Sequence, residues 1–131
     1  MKENRVSIEI NCSASKIFKF TINPANTHLW IDSIVREETN ESPTKIGTEY
    51  KNLNKQGKWA AYTIVQFEPN KMFELKKKNS FYHVRYIFEP VSDHKTKFTY
   101  FEWVEKGELE EPFSLTVLEK LREIVETDKG E

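Results

Sequence analysis

The hydrophobic period changes once along this chain, and that change limits the folds open to it. From Ile31 to Glu105 apolar and polar residues largely alternate, which is the two-residue period of half-buried strands. After Pro112 the spacing switches. Val117, Leu118, Leu121, Ile124 and Val125 recur three and four residues apart, as on a helix with one apolar face. Strands joined in sequence by short polar turns form an antiparallel meander. That sheet is the one large surface the helix stripe can cover. A length of 131 residues suits one domain, so residues 1–131 read as a single α+β unit.

The opening is more irregular. Val6, Ile8 and Ile10 alternate in a first strand over about 5–11. Ser13 or Ser15 can cap a helix that turns Ile17, Phe18 and Thr21 to one side. Asn23-Pro24 restarts the chain in a second short helix over about 24–30, ending near Trp30. Strands follow at Ile34-Val35, 48–51, 59–67, 73–75, 81–89 and 98–104, about seven in all with the first. Turns fall at Ser42-Pro43-Thr44, Asn54 to Gly57, Glu68-Pro69-Asn70 and Pro90 to Lys95. Glu110-Glu111 and Pro112 suit a helix start, and Lys129 and Gly130 suit its end. The spacing predicts a closing helix over 112–127, roughly 24 Å long.

Composition narrows the function. Lys+Arg total 20 against Asp+Glu 21, for a net charge of -1, which disfavours a nucleic-acid partner. The single cysteine, Cys12, excludes an internal disulfide and a cysteine zinc cluster, and reads as a small buried residue. His28, His83 and His94 lie too far apart for a local metal motif, so no metal and no cofactor are expected. No run approaches the roughly 20 apolar residues that cross a bilayer, so stable membrane insertion is not expected. MKENRVSIEI lacks a signal-peptide core, and a cytoplasmic protein is expected. Lys76-Lys77-Lys78 reads as a solvated strand end. There is no G-x-S-x-G, H-E-x-x-H or glycine-rich phosphate loop, so no catalytic residue is assigned and the question of enzymatic activity stays open. With 13% aromatic residues, the core should be built largely from rings.

A strand, two short helices, six strands and a long closing helix is the order of the helix-grip fold, and particular segments carry a name. IEINCSASKIFKFTINPANTHLWIDSI (8–34), IGTEY (46–50), IVQFEPNKMFEL (64–75), YIFEP (86–90) with KTKFTY (95–100), and LEKLREIVE (118–126) together resemble the SRPBCC, or START-like, superfamily. Within it the chain looks most like the polyketide cyclase/dehydrase branch. The resemblance implies a curved antiparallel sheet wrapped around the C-terminal helix, with a cavity between them. It implies binding of a hydrophobic small molecule or lipid-like ligand, without chemistry as the first reading. A cyclase/dehydrase-type enzyme using the same cavity is the alternative. A partner-binding module of the chaperone-ATPase-activator kind is a third reading, and it requires a filled interior and an outer aromatic patch.

Strand parity nominates the lining. Pairing Phe88 with Phe98 sets Tyr86 beside Tyr100 and Val84 beside Glu102, and this face, with Tyr82, is taken as concave. Glu102 is then a carboxyl in a tyrosine-rich wall, a polar anchor that Tyr82, Tyr86 or Tyr100 could satisfy. Trp30, Tyr50, Trp59 and Tyr62 complete the candidate ligand-binding set, although Trp59 and Tyr62 have opposite parity. His83, Arg85, Phe101 and Trp103 fall on the opposite face, where rings could serve a homodimer or another partner.

Overall fold

A computed structural model describes residues 2–110 and 112–127. Its elements run β1 (Lys2–Ile10), α1 (Ala14–Ile22), a 3-10 turn (Pro24–Asn26), α2 (Thr27–Trp30), β2 (Ile34–Thr39), β3 (Glu49–Asn54), β4 (Trp59–Glu68), β5 (Met72–Lys77), β6 (Tyr82–Ser92), β7 (Lys95–Val104) and α3 (Leu115–Thr127). The strands form one antiparallel sheet in the order β1-β7-β6-β5-β4-β3-β2. Strands β2 to β7 meander, and β1 closes onto β7 over its whole length, from Lys2 opposite Val104 to Ile10 opposite Thr96. This is the helix-grip arrangement expected from the alternating period followed by a helical one.

The caps explain the opening. Ser13, not Ser15, starts α1: its hydroxyl accepts the Lys16 N–H at 3.2 Å. Asn23 accepts the Ala25 N–H at 3.0 Å, and Pro24 follows where no N–H is needed. The second helix expected over 24–30 is therefore split into a 3-10 turn and one turn of α-helix. Ile17, Phe18 and Thr21 are buried together, as their spacing required.

Two features of the strands and turns differ from expectation together. β6 continues through Pro90 to Ser92 and β7 starts at Lys95, so the turn predicted over 90–95 shrinks to Asp93 and His94. Pro90 is tolerated because β5 pairs β6 only as far as Ile87, and the Phe88 N–H makes the last bond on that side, to Lys71 O. Beyond it β6 has a free edge, where a missing donor costs nothing. The β6–β7 register is the one read from the sequence: Phe88 opposite Phe98, Tyr86 opposite Tyr100, Val84 opposite Glu102.

The last helix starts later than expected, at Leu115 rather than 112, because the residues before it are held by the sheet. The expected charge at Glu111 and the helix end at Lys129 and Gly130 lie outside the described residues. Leu118, Leu121 and Val125 of α3 are buried against Ile8, Ile10 and the α1 face in one core. Trp30, only 1% exposed, wedges into it with edge contacts to Tyr86, Phe98 and Phe113. Phe18 meets Phe67, Phe73 and Phe88 edge-on, so the core is indeed ring-built. Truncating Leu121, which is fully buried, to Ala should lower stability by about 2–5 kcal/mol in chemical denaturation. A loss below about 1 kcal/mol would show that α3 is not docked on this core.

Candidate functional site

Trp30 and Phe98 pack in one core with Leu118, Leu121 and Val125 of α3, and the hollow of this fold opens elsewhere. It lies at the end of the sheet formed by the β3–β4 and β5–β6 hairpins, bounded by α2 and by the segment leading into α3. It has a volume of about 720 Å³ and is open to solvent. No described residue of α3 lines it; Phe113, just before the helix, does. The expected cavity between sheet and helix is thereby corrected to a cavity beside the helix. The reason is volume: one tryptophan and one phenylalanine occupy the gap that the curved sheet leaves.

All five tyrosines of the chain line this hollow: Tyr50, Tyr62, Tyr82, Tyr86 and Tyr100. Their hydroxyls are held in different ways. Tyr50 donates to Ile22 O at 2.6 Å and lies 2.7 Å from Thr44 Oγ1, tying α1 to β3. Tyr82 donates to Glu102 at 2.7 Å. Burial pushes the Tyr50 and Tyr62 hydroxyls up to about 12, with the charge of Glu37 adding to it, and raises Tyr82, Tyr86 and Tyr100 further. All five therefore present neutral rings and O–H groups near neutral pH.

The other candidates sit differently. Trp30 and Phe98 are core residues that do not reach the hollow. Trp59 is half exposed and does not line it; its parity sends it to the convex side while Tyr62 turns inward. Glu102 is 1% exposed and forms the wall behind the lining. Three donors converge on it: Tyr82 O–H at 2.7 Å, Asn4 Nδ2 at 2.8 Å and the Phe113 N–H at 2.7 Å. Asn4 Nδ2 also donates to Phe113 O at 2.9 Å. This clamp stacks the Phe113 ring on Tyr100, with centroids 3.8 Å apart, and keeps 112–114 out of the helix.

The carboxyl with spare capacity is one that parity reading missed, Glu37. A bulge between Ile34 and Arg36 resets the alternation of β2 and brings Glu37 to the hollow. It accepts from Thr27 Oγ1 at 2.5 Å and, weakly, from Asn52 Nδ2 at 3.5 Å. Burial pushes its carboxyl up to about 7 against these two hydrogen bonds. The only signal for it in the sequence was a glutamate near a strand start, which any solvated strand also shows.

On the convex side, Arg85 grips Glu74 through Nε at 2.9 Å and Nη2 at 2.6 Å, while His83 Nδ1 lies 3.0 Å from the same carboxyl. His83 stacks on Trp103, and Arg5 covers Phe101. The expected outer aromatic patch is thus largely capped by its own arginines and histidine.

A family profile described as "Polyketide cyclase / dehydrase and lipid transport" matches residues 1–126. Among curated proteins none matches the chain. Among solved structures, the protein XoxI from Bacillus cereus superposes with a TM-score of 0.77 at 13% identity, covering 97% of each chain. Protein MLL2253 from Mesorhizobium loti gives 0.76 at 14% identity, covering 97% of this chain and 99% of that one. The Aha1 dimer structure from Colwellia psychrerythraea gives 0.72 at 16% identity, covering 99% and 100%. At such identities the likeness is one of fold. No helix among the described residues is long and apolar enough to cross a membrane.

Three variants separate the two carboxyls. Glu102→Ala strands three donors and should cost about 2–4 kcal/mol in denaturation. Glu102→Gln should cost less than about 1 kcal/mol, because the Tyr82 hydroxyl can turn to accept; equal losses would contradict the clamp. Glu37 works in the opposite sense. Its carboxyl is raised from 4.5 to about 7 on folding, so the folded state holds the proton more tightly. Its contribution is full below about 4.5 and is lost as pH rises through about 7. Relative to wild type, Glu37→Gln should therefore gain up to about 3 kcal/mol between acid and about pH 8. A pH-independent difference in melting would contradict this.

Proposed function

This chain belongs to the polyketide cyclase/dehydrase and lipid transport family, and from that premise we propose that its tyrosine-lined hollow binds a hydrophobic small molecule or lipid-like ligand. One observation carries the reading: an open space of about 720 Å³ takes in every tyrosine of the chain. That volume falls within the usual range of small-molecule sites. The tyrosine rings of the lining and the side chains of Leu75 and Val84 supply apolar area, worth about 25 cal/mol per Å² removed from water. Tyrosine hydroxyls and Glu37 supply direction. The partner-module alternative asks for a filled interior, and the open hollow counts against it.

A second reading, a cyclase/dehydrase-type enzyme in the same hollow, is favoured by the Glu37 carboxyl. A group poised near 7 can both take and give a proton at neutral pH. Release of a bound candidate unchanged supports the carrier; its conversion, lost in Glu37→Gln, supports the enzyme.

The binding test fills the hollow from within. Ala60 lies in the lining, opposite Asn52 on β3. Ala60→Trp should weaken binding of the neutral naphthalene dye prodan by about tenfold or more while leaving the fold intact by circular dichroism. A folded Ala60→Trp variant that binds the dye as wild type does would overturn the chamber. Native mass spectrometry of the purified protein should also show a co-purified small molecule that the same variant lacks.

A further inference from the structure

Resting on the reading of the hollow as a ligand chamber, we propose that its occupant is an amphipathic amine: an apolar ring or chain whose ammonium group sits on the Glu37 carboxylate among the tyrosines of the lining. Two carboxyls stand at the tyrosine wall and they are not alike. Glu102 is consumed by Tyr82, Asn4 and the Phe113 N–H. Glu37 has only Thr27 Oγ1 at 2.5 Å and Asn52 Nδ2 at 3.5 Å, both neutral. A carboxylate offers about four acceptor positions, so at least one oxygen retains room for a donor. Among the described residues Glu37 has no ion-pair partner; the carboxylates that do, such as Glu38, Glu49 and Glu74, lie in other pairs.

The remaining charges of the chamber are three lysines and two glutamates. Lys55, Lys106, Glu108 and Glu110 line it but are exposed, and the Lys106 ammonium lies 5.4 Å from the Phe81 ring centroid. Lys77, half-buried at the end of β5, is the remaining cation of the lining. Among the described residues no arginine lines the hollow. A ligand carboxylate lodged beside Glu37 would meet a like charge. A fully apolar ligand would strip water from Glu37 and return nothing. An ammonium group returns up to three donors and a compensating charge. Its carbon substituents can then lie along the lining at the half-buried Tyr62, beside Tyr50 and Tyr86; all three sense the charge of Glu37.

The groups that face Glu37 are Thr27 from α2, Tyr50 and Asn52 from β3, Tyr62 from β4 and Tyr86 from β6. Burial keeps those tyrosines protonated well above neutrality, so Glu37 is the group among them that changes charge near 7. Amine affinity therefore strengthens as pH rises through that point.

Three naphthalene probes test this by amide-shift titration: 2-(2-naphthyl)ethylamine, 2-(2-naphthyl)ethanol and 2-naphthylacetate. At about pH 8 the amine should bind about tenfold more tightly than the alcohol, with the acetate weakest. The preference should shrink at about pH 5.5 and vanish in Glu37→Gln. Alcohol binding in the hollow as tight as amine binding, or an amine preference that survives Glu37→Gln, overturns the amine inference and leaves the chamber standing. Should Glu37→Gln fail to fold, the wild-type amine-to-alcohol ratio at the two pH values decides, and an unchanged ratio overturns it. If none of the three probes shifts the amides of Tyr62, Leu75 or Val84, the chamber itself falls, and this inference with it.

Discussion

The convergence of three donors on the buried Glu102 carboxyl is the contact on which the geometry of this molecule depends. One donor comes from β1, one from β6 and one from the backbone before α3, so three stretches far apart in sequence share one acceptor. Each such bond adds modestly to stability, yet leaving any of these buried donors unmet costs more than the bond returns. The chain therefore accepts an extended segment over 112–114 and starts its last helix only at Leu115. Phe113 is laid flat on Tyr100 as a consequence, and it becomes the wall where the hollow ends and the core begins.

From that wall the division of labour follows. On one side, Trp30, Phe98, Leu118 and Leu121 pack without exposed surface and supply cohesion. On the other, the ends of the two hairpins stand apart and the space between them stays open. The tyrosines of β3, β4, β6 and β7 then border that space, while the Tyr50 and Tyr82 hydroxyls reach backbone and carboxyl partners. Two carboxyls a few strands apart acquire opposite characters. Glu102 is saturated by donors and serves the fold. Glu37 is held by two neutral groups, and its proton affinity is raised by the loss of water around it.

Much of this was legible in the residues because the β6–β7 hairpin repeats aromatic residues on a strict two-residue period. Pairing Phe88 with Phe98 across the short turn sets Tyr86 beside Tyr100 and Val84 beside Glu102, and the sheet adopts that register. The same parity separated Tyr62 from Trp59. What stayed hidden depended on contacts between distant segments. The delayed start of α3 needs Asn4 and Glu102, both remote from it in sequence. The filling of the sheet–helix gap by Trp30 depends on where α2 docks. Glu37 was masked by a bulge, because one extra residue in a short strand inverts every inward and outward assignment beyond it. Alternation marks a face only while the ladder is regular.

The central claim is that the ligand chamber is the tyrosine hollow beside α3, not the interface beneath it. The most direct measurement is a set of intermolecular nuclear Overhauser contacts between a bound naphthalene probe and assigned methyl groups. Contacts to the methyls of Leu75 and Val84, which line the hollow, with none to Leu118 and Leu121 under the helix, are the predicted result. The reverse pattern, with the probe against Leu118 and Leu121, would mean that helix and sheet part to admit the ligand, and would contradict a chamber beside α3.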